Sequence, residues 1–275
     1  MARLTGRELR EHRRELNEAR ESRRAQEAAN PPRALNVDAA AVQRRTEIVA
    51  ALLLFYEFLT ALHIPASALK RPPHGGWPSV TAERFAFLGK TDVAIDILKH
   101  IPYISEDEIF EDYYQIYEQC VCNDYVGTRF ERMAVDYQSR DAVDPVDFMG
   151  DDSPWPNVKE PEHIITLGRS AKADVGHHMF LDTRNGSVVL VEFIDGRCTD
   201  EKSMRERFES LMRGFRNLTI FPIAADDVAI QGKSPLDETQ FAQLKATYQM
   251  HGWPTSEYRK DECMLAIKEL FRSFS

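Results

Sequence analysis

Cysteine is scarce in this chain: Cys120, Cys122, Cys198 and Cys263 are all it has in 275 residues. So few thiols exclude a disulfide framework, and no C-x-x-C spacing joins them into a zinc or redox motif. Glycine (13) and proline (14) are modest in number and unrepetitive, which excludes collagen-like and low-complexity chains. No apolar run approaches the roughly 20 residues that a membrane-spanning helix needs. The most apolar stretch, IVAALLLFYEFLTALHI over 48–64, is broken by Glu57, Thr60 and His63, so it predicts a core helix and no membrane span. Arg3, Arg7, Glu8 and Arg10 leave no room for the apolar part of a secretory signal, and Glu is too frequent nearby for a mitochondrial presequence. The expected setting is intracellular, cytoplasmic or nuclear, with reduced thiols.

Catalytic signatures are missing as well. There is no G-x-S-x-G elbow, no H-E-x-x-H and no H-x-H. Leu88-Gly89-Lys90-Thr91 has the ending of a phosphate-binding loop, but Arg84 stands where the first glycine belongs, and the upstream pattern is helical. His163, His177, His178, Cys198 and Asp182 fall in or near strand-like segments. His177 and His178 are adjacent, so on a strand they point to opposite faces and do not share a metal. Cys120-x-Cys122 is expected in or just past a helix. The carboxylates Asp141, Asp144, Asp147, Asp151 and Asp152 crowd a Pro-rich loop, where a solvated acidic surface is the default. No catalytic residue, metal ligand or cofactor is therefore assigned. An enzyme remains the alternative: a hydrolase-like site assembled from scattered His and Asp side chains.

What is present is a substantial core. Apolar residues make up 43% of the chain and aromatics 10%. At this length roughly 75% of the unfolded surface can be buried. The formal charge of −9 is uneven: residues 1–30 carry a net +2 and the rest −11. An acidic body repels phosphate backbones, so duplex nucleic acid is not an expected partner. The Arg/Glu-rich segment 1–32 reads as a mobile helical extension ended by Pro31-Pro32, with a single domain over 33–275. Within it, helical patterns are expected over 38–63, from Thr81, and over 91–100. Ser105-Glu106-Asp107-Glu108 has the form of a capping box leading into a Tyr-rich helix through about Cys120. The segment 71–78, RPPHGGWP, must be irregular, and a Pro/Asp-rich loop is expected over 141–161.

Strand character begins near Glu162. His163 to Leu167 is strand-like, and two runs of β-formers, 177–183 and 187–194, flank Arg184-Asn185-Gly186. Asn-Gly between such runs signals a hairpin with a two-residue type I′ turn, which would place Leu181 opposite Leu190. Both faces of this hairpin are apolar, so it should lie centrally in its sheet. Helices are then expected over 200–216, 237–251 and 256–274, with at most one short strand over 218–232. The expected fold is α+β: a small, mainly antiparallel sheet centred on 177–194, wrapped by helices from both ends of the chain.

All three tryptophans precede proline: Trp77-Pro78, Trp155-Pro156 and Trp253-Pro254. Proline holds the preceding residue in extended backbone. Such rings either anchor long loops or project as recognition residues, and anchoring is favoured because Trp buries a large area. With His74, which shares a loop with Trp77, they are the candidate binding residues: His74, Trp77, Trp155 and Trp253.

The run PPHGGWPSVTAERFAFLGKTD over 72–92, then LKHIPYI over 98–104 and HGWPTSEYRKDEC over 251–263, resembles a group of uncharacterised proteins of filamentous fungi. The likeness covers about 45–270 and brings no activity with it. FLDTRNGSVV over 180–189 is also similar to the SUKH superfamily, which includes fungal cell-wall-assembly regulators and bacterial toxin-immunity proteins. That similarity implies an α+β fold, no catalytic residues and a role in binding protein partners. The expected function is accordingly a non-catalytic, intracellular protein-binding or regulatory role with an unidentified protein partner.

Overall fold

The structure is a computed structural model that describes residue 14 and residues 32–107, 112–131, 134, 160–171, 175–192 and 196–274. Among the described residues the longer helices are α1 (Ala39–Leu62), α2 (Asp92–His100), α3 (Met204–Arg216), α4 (Glu238–Met250) and α5 (Lys260–Arg272). Strands β1 (Leu69–Lys70) and β2 (Tyr103–Ile104) pair as a ribbon, as do β3 (Glu106–Asp107) and β4 (Asp112–Tyr113). The main sheet takes β5 (Gln115–Tyr117), β6 (Cys120–Cys122), β7 (Ile164–Ser170), β8 (His177–Asp182), β9 (Ser187–Glu192) and β10 (Lys202–Ser203). It is antiparallel, in the order β10-β9-β8-β7-β6-β5, and curls into a half-barrel. β11 (Ile220–Ala224) and β12 (Asp227–Ile230) form a separate hairpin. None of the helices described is long and apolar enough to cross a membrane.

Helix starts follow local side-chain chemistry. Asp38 accepts from the Ala41 N–H and Thr91 from the Ala94 N–H, each satisfying a donor that the helix itself leaves open. Ser203 with Glu206, and Asp237 with Gln240, form reciprocal capping boxes at α3 and α4. α3 begins at Met204 rather than near Asp200, because Lys202 and Ser203 pair with Val188 and Ser187 as the edge strand β10. α5 begins at Lys260, later than expected. The helical pattern from Thr81 becomes turns and a short 3-10 segment, Ala86–Leu88, stopped by Gly89 at φ 59°.

The largest departure lies between Ser105 and Cys122. The expected Tyr-rich helix is instead β3, β4, β5 and β6, so the α+β class holds but the sheet has six strands, not a small hairpin-centred core. Tyr117 pairs with Cys120 across a turn in which Gln119 takes the left-handed conformation, φ 49°. Cys120 and Cys122 thus lie in a strand, not at a helix end. The stretch over 218–232 likewise holds two strands rather than one.

The central hairpin is present with a different turn. Asp182 pairs with Ser187 and Leu181 with Val188, leaving Thr183 to Gly186 as a four-residue loop. Asp182 accepts from the Arg184 N–H (2.9 Å), Asn185 Oδ1 from the Ser187 N–H (2.9 Å), and the Gly186 N–H donates to Asp182 O (2.8 Å). Of the Asn-Gly pair only Gly186 has positive φ, at 74°. The face assignment is unaffected, since the register moves by an even number of residues. Met179, Leu181, Val188 and Leu190 join the main core with Ile48, Leu52 and Phe55 of α1. Ile164, Phe180, Val189 and Val191 form a second, smaller cluster on the other face. β8 is buried along its whole length and lies inside the sheet, as two apolar faces require.

Candidate binding site

Residues 32–38 form an extended strap ahead of α1. Its hold on the body centres on Asp92, in the first turn of α2. Arg33 clamps that carboxylate with two bonds (2.7 and 2.6 Å), and the Asn36 N–H adds a third (2.8 Å). The Arg33 N–H donates to Glu83 Oε1 (2.9 Å). Hydrogen bonds from Arg33 and the Asn36 N–H hold the Asp92 carboxyl down at about 2. One turn on, Asp96 receives Arg45 on both oxygens (2.9 and 2.8 Å), tying α1 to α2. His100 Nδ1 lies 2.7 Å from the Asp96 carbonyl and 3.4 Å from its carboxylate. Burial opposes ionisation of Asp96, but His100 and Arg45 keep its carboxyl below the usual range.

The 71–78 loop closes over the other end of α2. Gly75 and Gly76 have φ 84° and 82°, and a Cβ on Gly76 would fall 2.5 Å from Lys99 O and 2.7 Å from Lys99 Cγ. Only glycine permits both this backbone and this approach. The Trp77 N–H donates to Lys99 O (2.7 Å) and its indole Nε1 to Ile101 O (2.9 Å), with the ring 6.0 Å from that of Tyr103. Trp77 is therefore an anchor that pairs backbone carbonyls at and just past the end of α2. His74, by contrast, is exposed on the loop.

Between strap and loop lies a cavity of about 510 Å³, walled by Pro32, Leu35, Val37, Pro78 and Val80. Asp96 and Lys99 also line it. The Lys99 ammonium makes no hydrogen bond or ion pair among the described residues. A second cavity of about 580 Å³ lies beside Pro65, Ala66 and the start of α5. There the Lys260 ammonium already serves the carbonyls of Thr60 (2.8 Å) and Ile64 (2.6 Å) at the end of α1.

Of the sequence candidates among the described residues, only His74 and Trp77 come together. Trp253 is 8% exposed, donates from Nε1 to Phe215 O (3.1 Å), and packs edge-on against Phe58 and Tyr258. It anchors the α4–α5 connection inside the protein and is not presented for recognition. Trp155, the acidic residues from Asp141 to Asp152, and the N-terminal extension apart from Arg14 and Pro32 lie outside the described residues. Arg33, Asp96 and Lys99 were not singled out by sequence, since no local pattern shows that 32–37 and 78–82 meet.

The groups with catalytic potential are distributed through the interior. Burial pushes the Cys122 thiol up to about 12, Cys263 to about 11 and Cys120 higher still. Burial drives His63 and His178 down to about 4, so both are neutral near pH 7. His177 and His178 do face opposite ways: one ring meets Tyr117 edge-on at 5.0 Å, the other stacks near Phe180 at 5.9 Å. Lys90, the phosphate-loop candidate, donates to Pro161 O (2.9 Å) and tethers the chain ahead of β7. Glu160, Glu162 and His163 bring ligand atoms within 4.8 Å of one another. Arg184 already pairs with Glu160 and with Asp182, and its charge opposes a divalent ion there. Compared with protein-family models, curated proteins and solved structures, the chain has no match.

Proposed function

We propose that this protein acts by binding another protein, without catalysis, through the face formed by the strap and the 71–78 loop. One observation carries the reading: an exposed loop is locked by Gly76 and Trp77 onto the end of α2, beside a cavity whose walls combine apolar residues with Asp96 and Lys99. A surface fixed before binding loses little conformational freedom on association. The similarity to the SUKH superfamily points the same way, since it implies protein partners and no catalytic residues. An acidic chain of net charge −9 is poorly suited to duplex nucleic acid. We place its action inside the cell, in cytoplasm or nucleus.

The reading is tested by photo-crosslinking in cells of the source organism. A photoreactive phenylalanine analogue is introduced at His74, and separately at Leu265, which is 60% exposed on α5. A discrete crosslinked protein is expected from position 74 and not from 265. No adduct at 74, or the same adducts from both positions, overturns it.

A further inference from the structure

We infer that the cavity between the strap and the 71–78 loop receives a short partner segment in which a carboxylate lies beside proline or aliphatic residues. This rests on the protein-binding reading and names the chemistry of its partner. The charges around the cavity decide the sign of that chemistry. Asp92 is matched by Arg33 and Asp96 by Arg45, each through two hydrogen bonds to the carboxylate. Glu83, just outside, accepts the Arg33 N–H. That leaves the Lys99 ammonium as the lining cation without a counter-charge among the described residues. The start of its side chain packs closely against Gly76.

The ammonium of a half-buried lysine, beside a lining that is apolar in part, favours an anion that also brings apolar surface. A carboxylate meets Lys99, while Pro32, Leu35, Val37 and Pro78 offer surface to proline or aliphatic side chains. A polyphosphate chain brings no such surface. The volume, about 510 Å³, falls in the range of pockets that enclose compact ligands. It therefore suits a few residues of a peptide rather than a folded domain. The same accounting predicts that binding weakens with salt, because one ion pair at a partly exposed site supplies the selectivity.

The test is a phage-displayed random dodecapeptide library panned on the full chain and on Lys99→Arg, Lys99→Gln and Lys99→Glu. Thermal unfolding of each variant confirms that it is folded, and Lys99→Arg keeps the charge as a rescue. Peptides carrying Asp or Glu beside Pro, Leu or Val are expected from the native chain. A synthetic peptide of the enriched sequence should bind Lys99→Arg nearly as well and Lys99→Gln on the order of tenfold more weakly, as loss of a charged hydrogen bond implies. Lys99→Glu should not bind it. Enrichment of peptides without acidic residues, affinity untouched by Lys99→Glu, or no enrichment at all overturns the inference. Crosslinking at position 74 separates the two levels. If it succeeds while panning fails, the cavity assignment falls and the protein-binding reading stands; if both fail, both fall.

Discussion

Arg33 and Asp92 lie 59 residues apart in sequence and form a two-pronged ion pair, with contacts of 2.7 and 2.6 Å. Asp92 also accepts the Asn36 N–H, so one carboxylate holds the strap at two points along the cavity wall. Its position in the first turn of α2 adds the favourable end of the helix dipole.

Asp92→Ala should release the strap without unfolding the body. Arg33 is followed by Ala34, so trypsin can cut there once the backbone is freed, and cleavage after Arg33 should accelerate. The melting temperature should fall by no more than about a few degrees, because the pair is solvent-exposed on the Arg33 side. The Asp92 carboxyl is held at about 2 against an ordinary 3.8, so its contribution is complete above pH 3.8 and lost as pH falls through 2. Equal cleavage rates for the two proteins at pH 7 would show that the strap is held by something else.

Gly186 is the hinge of the central hairpin, and its φ of 74° is the reason. A Cβ there would meet only Arg44 and Ile48 at 3.8 Å, an ordinary contact, so the penalty of a side chain is torsional. Gly186→Val should therefore cost more than about 1 kcal/mol, read as a lower urea midpoint at unchanged slope. An unchanged midpoint would contradict the turn geometry.

The limits of sequence reading are clear at particular residues. Asp38, Thr91 and Asp237 are cap residues that bond to backbone within three positions, and α1, α2 and α4 start where they indicate. The near-continuous apolar runs of β8 and β9 place apolar residues on both faces, because successive side chains of a strand point to opposite sides. The β5–β6 hairpin was illegible because its left-handed turn position is Gln119, which carries no turn signal of the kind that Gly186 does. The turn around Gly186 was mis-assigned because Asp182 and Asn185 close a longer loop with side-chain bonds that a dipeptide rule does not include. The candidate site is built from 32–37, 78–82 and α2, and the Arg33–Asp92 pair joins the first of these to the last across 59 residues of sequence. Local pattern says nothing about such a pairing.

Thiol chemistry offers a direct check of burial. Cys120, Cys122 and Cys263 are buried and Cys198 is exposed. The thiolate is the reactive form, and burial raises all three interior thiols well above neutrality. A disulfide-exchange reagent at pH 8 should titrate one thiol rapidly in the native protein and all four after denaturation. Rapid reaction of two or more native thiols would mean that β6 or α5 opens far more readily than its packing suggests.

Neighbouring residues on α1 should respond in opposite ways to truncation. Phe55 is fully buried and stacks on Phe208 of α3, with ring centres 4.5 Å apart and planes within 5°. Phe55→Ala leaves a cavity at the contact between the two helices and should cost about 3–5 kcal/mol. Leu54, 56% exposed, points away, and Leu54→Ala should stay within about 0.5 kcal/mol. Denaturant titrations giving similar losses for both would place the core on the wrong face of α1.

Acid should destabilise the protein before its carboxylates titrate, and His63 is one cause. The ring is 3% exposed, stacks near Phe215 at 6.1 Å, and has Nε2 3.0 Å from Gln115 O. A carbonyl partner requires Nε2 to carry the proton in the neutral ring. Burial lowers its pKa from 6.5 to about 4, partly offset by the Gln115 bond and reinforced by Lys260. His178 is lowered to about 4 by burial and by the charges of Arg169 and His177. Between pH 6.5 and 4 the unfolded chain binds protons at both positions that the folded chain does not, so stability rises with pH across that window. It is complete above 6.5 and falls, by on the order of 3 kcal/mol at most for each ring, as pH drops to 4. His63→Leu removes one proton site from the unfolded state. It should lower stability at pH 7 through the lost bond, yet flatten the decline of melting temperature between pH 6.5 and 4. A decline as steep as that of the parent protein would show that His63 is not buried in its neutral form.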